Sequence, residues 1–76
     1  MRKVALTGRA GAIFTSGTRV MDLDGELMAS GDEWILFTAS VGLWSDGTEA
    51  TSDEKKEVIR EVVDLLAREG VRVVVE

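Results

Sequence analysis

Residues 51–76 read TSDEKKEVIREVVDLLAREGVRVVVE, which is the pattern of a capped amphipathic helix followed by a valine-rich strand. Thr51 precedes Glu54 by three residues, the spacing of a capping box in which each side chain bonds the backbone of the other residue. Gly70 favours the end of the helix because glycine adopts the left-handed C′ conformation without strain. The sequence therefore predicts a helix between Thr51 and Gly70 and a last strand over 71–76.

The predicted helix carries one wide apolar stripe. Its members are Val58, Ile59, Val62, Val63, Leu65, Leu66 and Ala67. At about 100° per residue, the stripe covers roughly 200° of the helix surface. One contact between a helix and a sheet does not need so wide a stripe. We therefore expect either that its flanks are boundary positions or that a second surface covers one edge of it.

The strongest strand signal lies upstream of the helix, over residues 33–41. Side chains alternate between the two faces of a strand. One face consists of Ile35, Phe37, Ala39 and Val41, and the other of Trp34, Leu36, Thr38 and Ser40. We expect the first, wholly apolar face to be the core face. The second is half apolar, which predicts partial cover on the other side of the sheet.

Shorter strands precede this one. They are predicted at 3–7, 12–15, 18–23 and 26–29, with the pair Asp24-Gly25 as a two-residue hairpin turn and Ser30-Gly31-Asp32 as a second turn. The complete pattern predicts a single α+β domain over residues 1–76. It should be a small, largely antiparallel sheet with one helix from the C-terminal half packed on it, followed by a final strand.

The side chains that serve most enzymes are missing. The chain has no histidine, cysteine or tyrosine, which removes most proton transfer near neutral pH, thiol chemistry and transition-metal ligation. Asp22-Leu23-Asp24-Gly25-Glu26 superficially suggests a calcium loop, but the glycine is fourth where an EF-hand needs it sixth. The sequence therefore predicts a protein that is not an enzyme and has no cofactor and no metal site.

The charge favours a protein partner. Fourteen acidic against nine basic residues give a net charge of −5, which predicts repulsion of nucleic acid and attraction of a cationic protein. The alternative is that this charge only keeps a small domain soluble. The chain has no stretch of about 20 apolar residues, so the sequence predicts no membrane span. No signal peptide is recognisable either, and we therefore expect a cytoplasmic protein.

One aromatic residue stands inside an acidic segment. Trp44 is followed by Asp46, Glu49, Asp53 and Glu54. Tryptophan is enriched at binding hot spots, and carboxylates at a rim steer a basic partner. These five residues are the candidate partner-binding site. In the alternative interpretation Trp44 folds back as a lid on the core, and the acids complement the helix dipole.

The order of these features resembles a family of bacterial polymorphic-toxin immunity proteins, the Immunity protein seventy-four family. The resemblance extends from about residue 18 to residue 76. It consists of Asp24-Gly25-Glu26-Leu27, a hydrophobic strand, Trp44 with Asp46-Gly47 before a capped acidic helix, and a Val-rich strand after Gly70. It implies a cytoplasmic protein that binds and neutralises a cognate secreted toxin.

Two other classes remain open. A structural or regulatory module could associate with itself through apolar sheet and helix surface. Independently of the class, the half-apolar strand face and the wide helix stripe leave more apolar surface than one helix-on-sheet contact covers, which predicts a weak homodimer. An enzyme acting on a small ligand is the third class, and the missing side chains argue against it.

Overall fold

A computed structural model describes residues 1–76 and shows an α+β fold, as the sequence predicts. The strands are β1 (Arg2–Leu6), β2 (Gly11–Ser16), β3 (Arg19–Leu27), β4 (Glu33–Leu36) and β5 (Arg72–Val75), and the helix is α1 (Ser52–Arg68). A short 3-10 turn, Thr38–Ser40, follows β4. The five strands form one sheet in sequence order. All neighbours are antiparallel except β4 and β5, which are parallel and joined through α1.

Both ends of α1 form as the sequence predicts. The backbone N–H of Glu54 donates to Thr51 Oγ1 at 3.1 Å, and the backbone N–H of Thr51 donates to Glu54 Oε1 at 2.8 Å. At the other end Gly70 has a φ of 83°. The Gly70 amide donates to the Ala67 carbonyl and the Val71 amide to the Leu66 carbonyl, the two bonds of a Schellman motif. These caps fix where the chain enters and leaves the helix.

The core lies between α1 and one face of the sheet. It contains Val4, Ala12, Phe14, Met21, Leu23, Trp34, Leu36, Val41, Trp44, Ala50, Val58, Val62 and Leu66. The helix buries only Val58, Val62 and Leu66, one residue per turn. Ile59, Val63 and Leu65 are half-buried and Ala67 is exposed, so the flanks of the stripe are boundary positions, the first of the two expectations.

The predicted core face of the strand at 33–41 was wrong. Trp34 and Leu36 are fully buried beneath α1, whereas Ile35 is half-buried and Phe37 is 40% exposed. The strand also ends at Leu36, after which a 3-10 turn returns Val41 to the core. The side chains of 34 and 36 and those of 35 and 37 are all apolar. Tryptophan has the largest apolar area to remove from water, which favours burial of the face that carries Trp34.

Gly25 creates the space for Trp34. The sequence prediction of a hairpin turn at Asp24-Gly25 was wrong, because β3 runs unbroken through Gly25 to Leu27. A Cβ atom on Gly25 would lie 2.5 Å from Trp34 Cζ2 and would also overlap the carbonyl oxygen of Ile35. The tight turn before β3 instead contains Gly17, with a φ of 62°. The predicted strand at 26–29 is correspondingly wrong, since its first two residues end β3.

The turn predicted at Ser30-Gly31-Asp32 is confirmed, with Gly31 at a φ of 80°. The only helix of the fold, α1, is not long and apolar enough to cross a membrane. The face of the sheet away from α1 has no layer packed on it, because α1 is the only helix and it covers the opposite face.

The close approach of Trp34 to Gly25 predicts a large effect of a single methyl group. Gly25→Ala should reduce the free energy of unfolding by about 1–3 kcal/mol, because the Trp34 ring must move to admit the Cβ atom. Gly42→Ala is the matched control, since a Cβ there meets only Lys55 Cε at 3.6 Å, an ordinary contact. The control should change stability by less than about 0.5 kcal/mol. Urea unfolding of both variants measures the difference, and equal stabilities would contradict this account of the core.

Candidate partner-binding surface

Trp44 belongs to the core. Only 4% of the residue is exposed, and its ring packs against Phe14 with centroids 6.4 Å apart and planes tilted by 41°. The guanidinium carbon of Arg19 lies 4.1 Å from the centre of the Trp44 ring, a cation–π contact. The structure therefore shows the indole as a lid on the core, the alternative interpretation of this residue. Anchoring a partner would require the indole to leave this position.

Arg19 connects Glu54 to Trp44, and no motif in the sequence points to it. Arg19 Nη1 lies 3.1 Å from Glu54 Oε2, although the two residues are 35 positions apart. The pKa of Asp46 is lowered chiefly by the hydrogen bond from the backbone N–H of Thr48, and the positive charge of Arg19 adds to this effect. Helical or strand spacing cannot relate residues so distant in sequence, so no local pattern could have placed Arg19 here.

Glu54 is engaged within the fold. Its pKa is lowered chiefly by the hydrogen bond from the backbone N–H of Thr51, and further by the guanidinium of Arg19 and the nearby indole N–H of Trp44. No acceptor lies within normal hydrogen-bond distance of that buried indole N–H, so we regard its contact with Glu54 as long and weak. The main interactions of Glu54 are therefore the helix cap and the ion pair.

The loop at 42–50 is held by its own hydrogen bonds. The Trp44 amide donates to the Thr48 carbonyl at 2.9 Å, and the Ala50 amide donates to the Gly42 carbonyl at 2.7 Å. The Thr48 amide donates to Asp46 Oδ1 at 2.9 Å, and this bond is the main reason that the pKa of Asp46 is lowered. A rigid loop of this kind loses little conformational entropy when it binds a partner.

Three of the four predicted acids are free for a partner. Asp46, Glu49 and Asp53 are exposed and form no ion pair, whereas Glu54 is half-buried and paired. Glu54 pairs with Arg19, and the positive charge of Arg19 also contributes to lowering the pKa of Asp46, after the hydrogen bonds from Thr48. Glu49 lies apart from them, on the rim of a shallow hollow that it shares with Lys55 and Leu43. We call Asp46, Glu49 and Asp53 the loop acids.

A groove between sheet and helix adjoins this region. It is lined by Arg2, Phe14, Ser16, Arg19, Trp44, Glu54, Glu57 and Val58, and its volume is about 100 Å³. Arg2 bonds Glu57 at 2.9 Å and Glu61 at 2.6 Å at one of its sides. The groove is well below the roughly 300–1,000 Å³ of typical ligand pockets, and its charged groups neutralise one another. It is better explained as the ion-paired seam between α1 and the sheet.

A second acidic group lies on the opposite side of the sheet from α1. Asp22, Asp24 and Glu26 alternate along β3 with the inward-facing Met21, Leu23 and Gly25, and all three carboxylates are exposed. We call them the β3 acids. Their two-residue period was visible in the sequence, but the Asp24-Gly25 pair favoured a turn there. They do not form a group that could hold a metal ion.

Comparison of the chain with known protein families, with curated proteins and with solved structures found no match.

The lowered pKa of Glu54 predicts that this residue contributes less to the stability of the fold as the pH falls. A carboxyl group whose pKa is lower in the folded state stabilises the fold above its unfolded pKa, and this contribution is lost as pH falls through the folded pKa. Glu54→Gln retains a side-chain oxygen for the Thr51 amide but removes the charge that pairs with Arg19. The variant should be less stable than the parent near neutral pH, and the difference should shrink below about pH 4.

Urea unfolding at a series of pH values tests this expectation. Glu69→Gln removes an exposed carboxylate that lies outside every ion pair, and so controls for the change in net charge. If the stability of Glu54→Gln follows the parent at every pH, the ion pair and charged cap do not stabilise the fold.

Proposed function

We propose that this domain binds and neutralises a cationic protein, in the manner of a bacterial immunity protein acting on a secreted toxin. The observation that supports the proposal is that most basic residues form ion pairs, whereas most acidic residues do not. Five of the nine basic residues pair with five of the fourteen acidic residues, which leaves nine carboxylates and four cations outside ion pairs. The whole net charge of −5 therefore comes from groups that the fold does not use for pairing.

These nine carboxylates are all exposed. They are Asp22, Asp24, Glu26, Asp32, Asp46, Glu49, Asp53, Glu69 and Glu76. Six of them belong to the loop acids and the β3 acids. An acidic surface of this kind attracts a cationic protein over a distance of about 8 Å at physiological salt and raises the rate of association.

The loop acids are held ready for such a partner. The backbone bonds of 42–50 fix the loop, and the amide of Ser45 donates to the carbonyl of Val20 in β3 at 2.7 Å. Asp46 is held by the Thr48 amide, and Asp53 lies in the first turn of α1. Inhibition by direct binding needs only that the bound domain cover the toxin surface, so no catalytic group is required of this chain.

The proposal predicts the effect of reversing charge on the loop. Asp46→Lys with Glu49→Lys should slow association with the toxin and weaken its dependence on salt, because steering by exposed charges acts chiefly on the association rate. The candidate toxin for this test is to be sought as the C-terminal domain of a secreted protein encoded beside this chain. Surface plasmon resonance at several salt concentrations measures the rates, and growth of cells that express the toxin measures protection.

A matched control distinguishes the effect of where the charges lie from the effect of the change in net charge. Glu69→Lys with Glu76→Lys changes the net charge by the same amount at exposed, unpaired positions elsewhere. The control should retain most of the association rate. Equal rates for the parent and the loop variant, with full protection of growth, would contradict a role for the loop acids.

A self-associating module is the alternative function. It is favoured by exposed apolar side chains on the sheet, of which Ile13 is 38% and Phe37 is 40% exposed. The predicted homodimer rested on the half-apolar strand face and on the wide helix stripe, however. Trp34 and Leu36 of that face are buried under α1, and the flanks of the stripe are half-buried. Sedimentation at high micromolar concentration distinguishes the two proposals, since the inhibitor should sediment at the mass of one chain.

A further inference from the structure

The open face of the sheet, the side that α1 leaves uncovered, has an acidic centre. The β3 acids lie along the middle strand of five, and all three are exposed. Aspartate is among the residues least suited to a strand interior, yet two of the three are aspartates. None of the three has an ion-pair partner, so no salt bridge offsets the repulsion among them.

Apolar side chains border this acidic row on both sides. Ile13 on β2 lies directly opposite Asp22, and Ile35 on β4 lies directly opposite Glu26. Phe37 continues the second border, since its amide donates to the Asp24 carbonyl at 3.0 Å. At these positions the open face is apolar on β2, acidic on β3 and apolar on β4, with Gly11 opposite Asp24 on β2.

This pattern disfavours a second copy of the chain as the occupant. A two-fold dimer through the open face places the same patch of each copy against the other. The β3 acids of the two copies would then meet near the centre of the interface, where water is excluded and like charges repel most strongly. The pattern instead complements a surface with basic residues along its centre and apolar residues on either side.

We propose that the open face binds a basic amphipathic helix of a partner protein, as a second helical layer on the sheet. Alternate residues of a strand are about 6.6 Å apart, and every fourth residue of a helix is about 6 Å apart. Lysine or arginine at every fourth position can therefore meet the β3 acids in turn, while flanking leucines cover Ile13 and Phe37. The inference rests on the proposed function only in taking the partner to be a cationic protein.

A synthetic peptide tests this surface without the natural partner. The probe is a fluorescent helix with three lysines at every fourth position and leucines on both sides of them. The control peptide has glutamate in place of each lysine. We expect the lysine peptide to bind in the micromolar range, with an affinity that falls as salt is added, and the glutamate peptide not to bind.

Three variants with the same net charge locate the binding. The first replaces the β3 acids (Asp22→Asn, Asp24→Asn and Glu26→Gln), the second the loop acids (Asp46→Asn, Glu49→Gln and Asp53→Asn), and the third Asp32→Asn, Glu69→Gln and Glu76→Gln. Each raises the net charge from −5 by three units. The first should weaken the binding of the lysine peptide about tenfold, because three charge pairs are lost, and the other two by much less.

Ile13→Thr with Phe37→Ser tests the apolar borders, and circular dichroism checks that every variant keeps its fold. This variant should also weaken binding, and amide NMR shifts on adding the peptide should cluster at Ile13, Ile35 and the β3 acids. If all three neutralised variants weaken binding of the lysine peptide equally, the binding depends only on net charge, and the proposal is overturned. Shifts confined to the 42–50 loop, or a dimer that Phe37→Ser dissociates, would overturn it as well.

Discussion

The arrangement of this domain depends on the contact between the Trp34 ring and the backbone of Gly25. The ring fills the space that a side chain at Gly25 would occupy, and both residues are buried. This contact decides which side of β4 faces α1. Trp34 and Leu36 therefore line the core, and Ile35 and Phe37 point to the other side of the sheet. The open face has its apolar borders because Trp34 and Leu36, and not Ile35 and Phe37, are buried in the core.

Ion pairing divides the surface into two kinds of region. Arg2 and Arg19 reach from the sheet to Glu57, Glu61 and Glu54 and close the seam with the first half of α1. Outside this seam only Asp64 and Glu33 form ion pairs, with Arg68 and Arg72, and the other nine carboxylates form none. Surface ion pairs each contribute only about 0–1 kcal/mol, so the pairs at the seam mainly orient side chains. The remaining acidic surface is more informative about binding than about stability.

The sequence was sufficient for the elements whose signals are local. The capping box at Thr51, the glycine at the end of α1 and the fold class all follow from residues a few positions apart. The face of β4 was not predictable in this way, because both of its faces are apolar and the deciding residue, Gly25, lies on another strand. The local sequence Asp24-Gly25 favours a turn. In the fold Gly25 lies within β3 instead, because the Trp34 ring occupies the space that a side chain at this position would need. The contact of Arg19 with Trp44 spans 25 positions and depends on the tertiary fold alone.

The parallel pairing of β4 with β5 has a consequence for how the chain folds. Trp34 lies opposite Val73, 39 positions later, whereas β1, β2 and β3 pair across short turns. Closing the longer loop costs more chain entropy, and contacts between distant residues slow folding. In any conformation in which β5 has not yet docked, β4 exposes one edge of the segment EWILF, which is apolar and suited to pairing with another chain. Mutual repulsion between chains that each carry a net charge of −5 opposes that pairing until the sheet is complete.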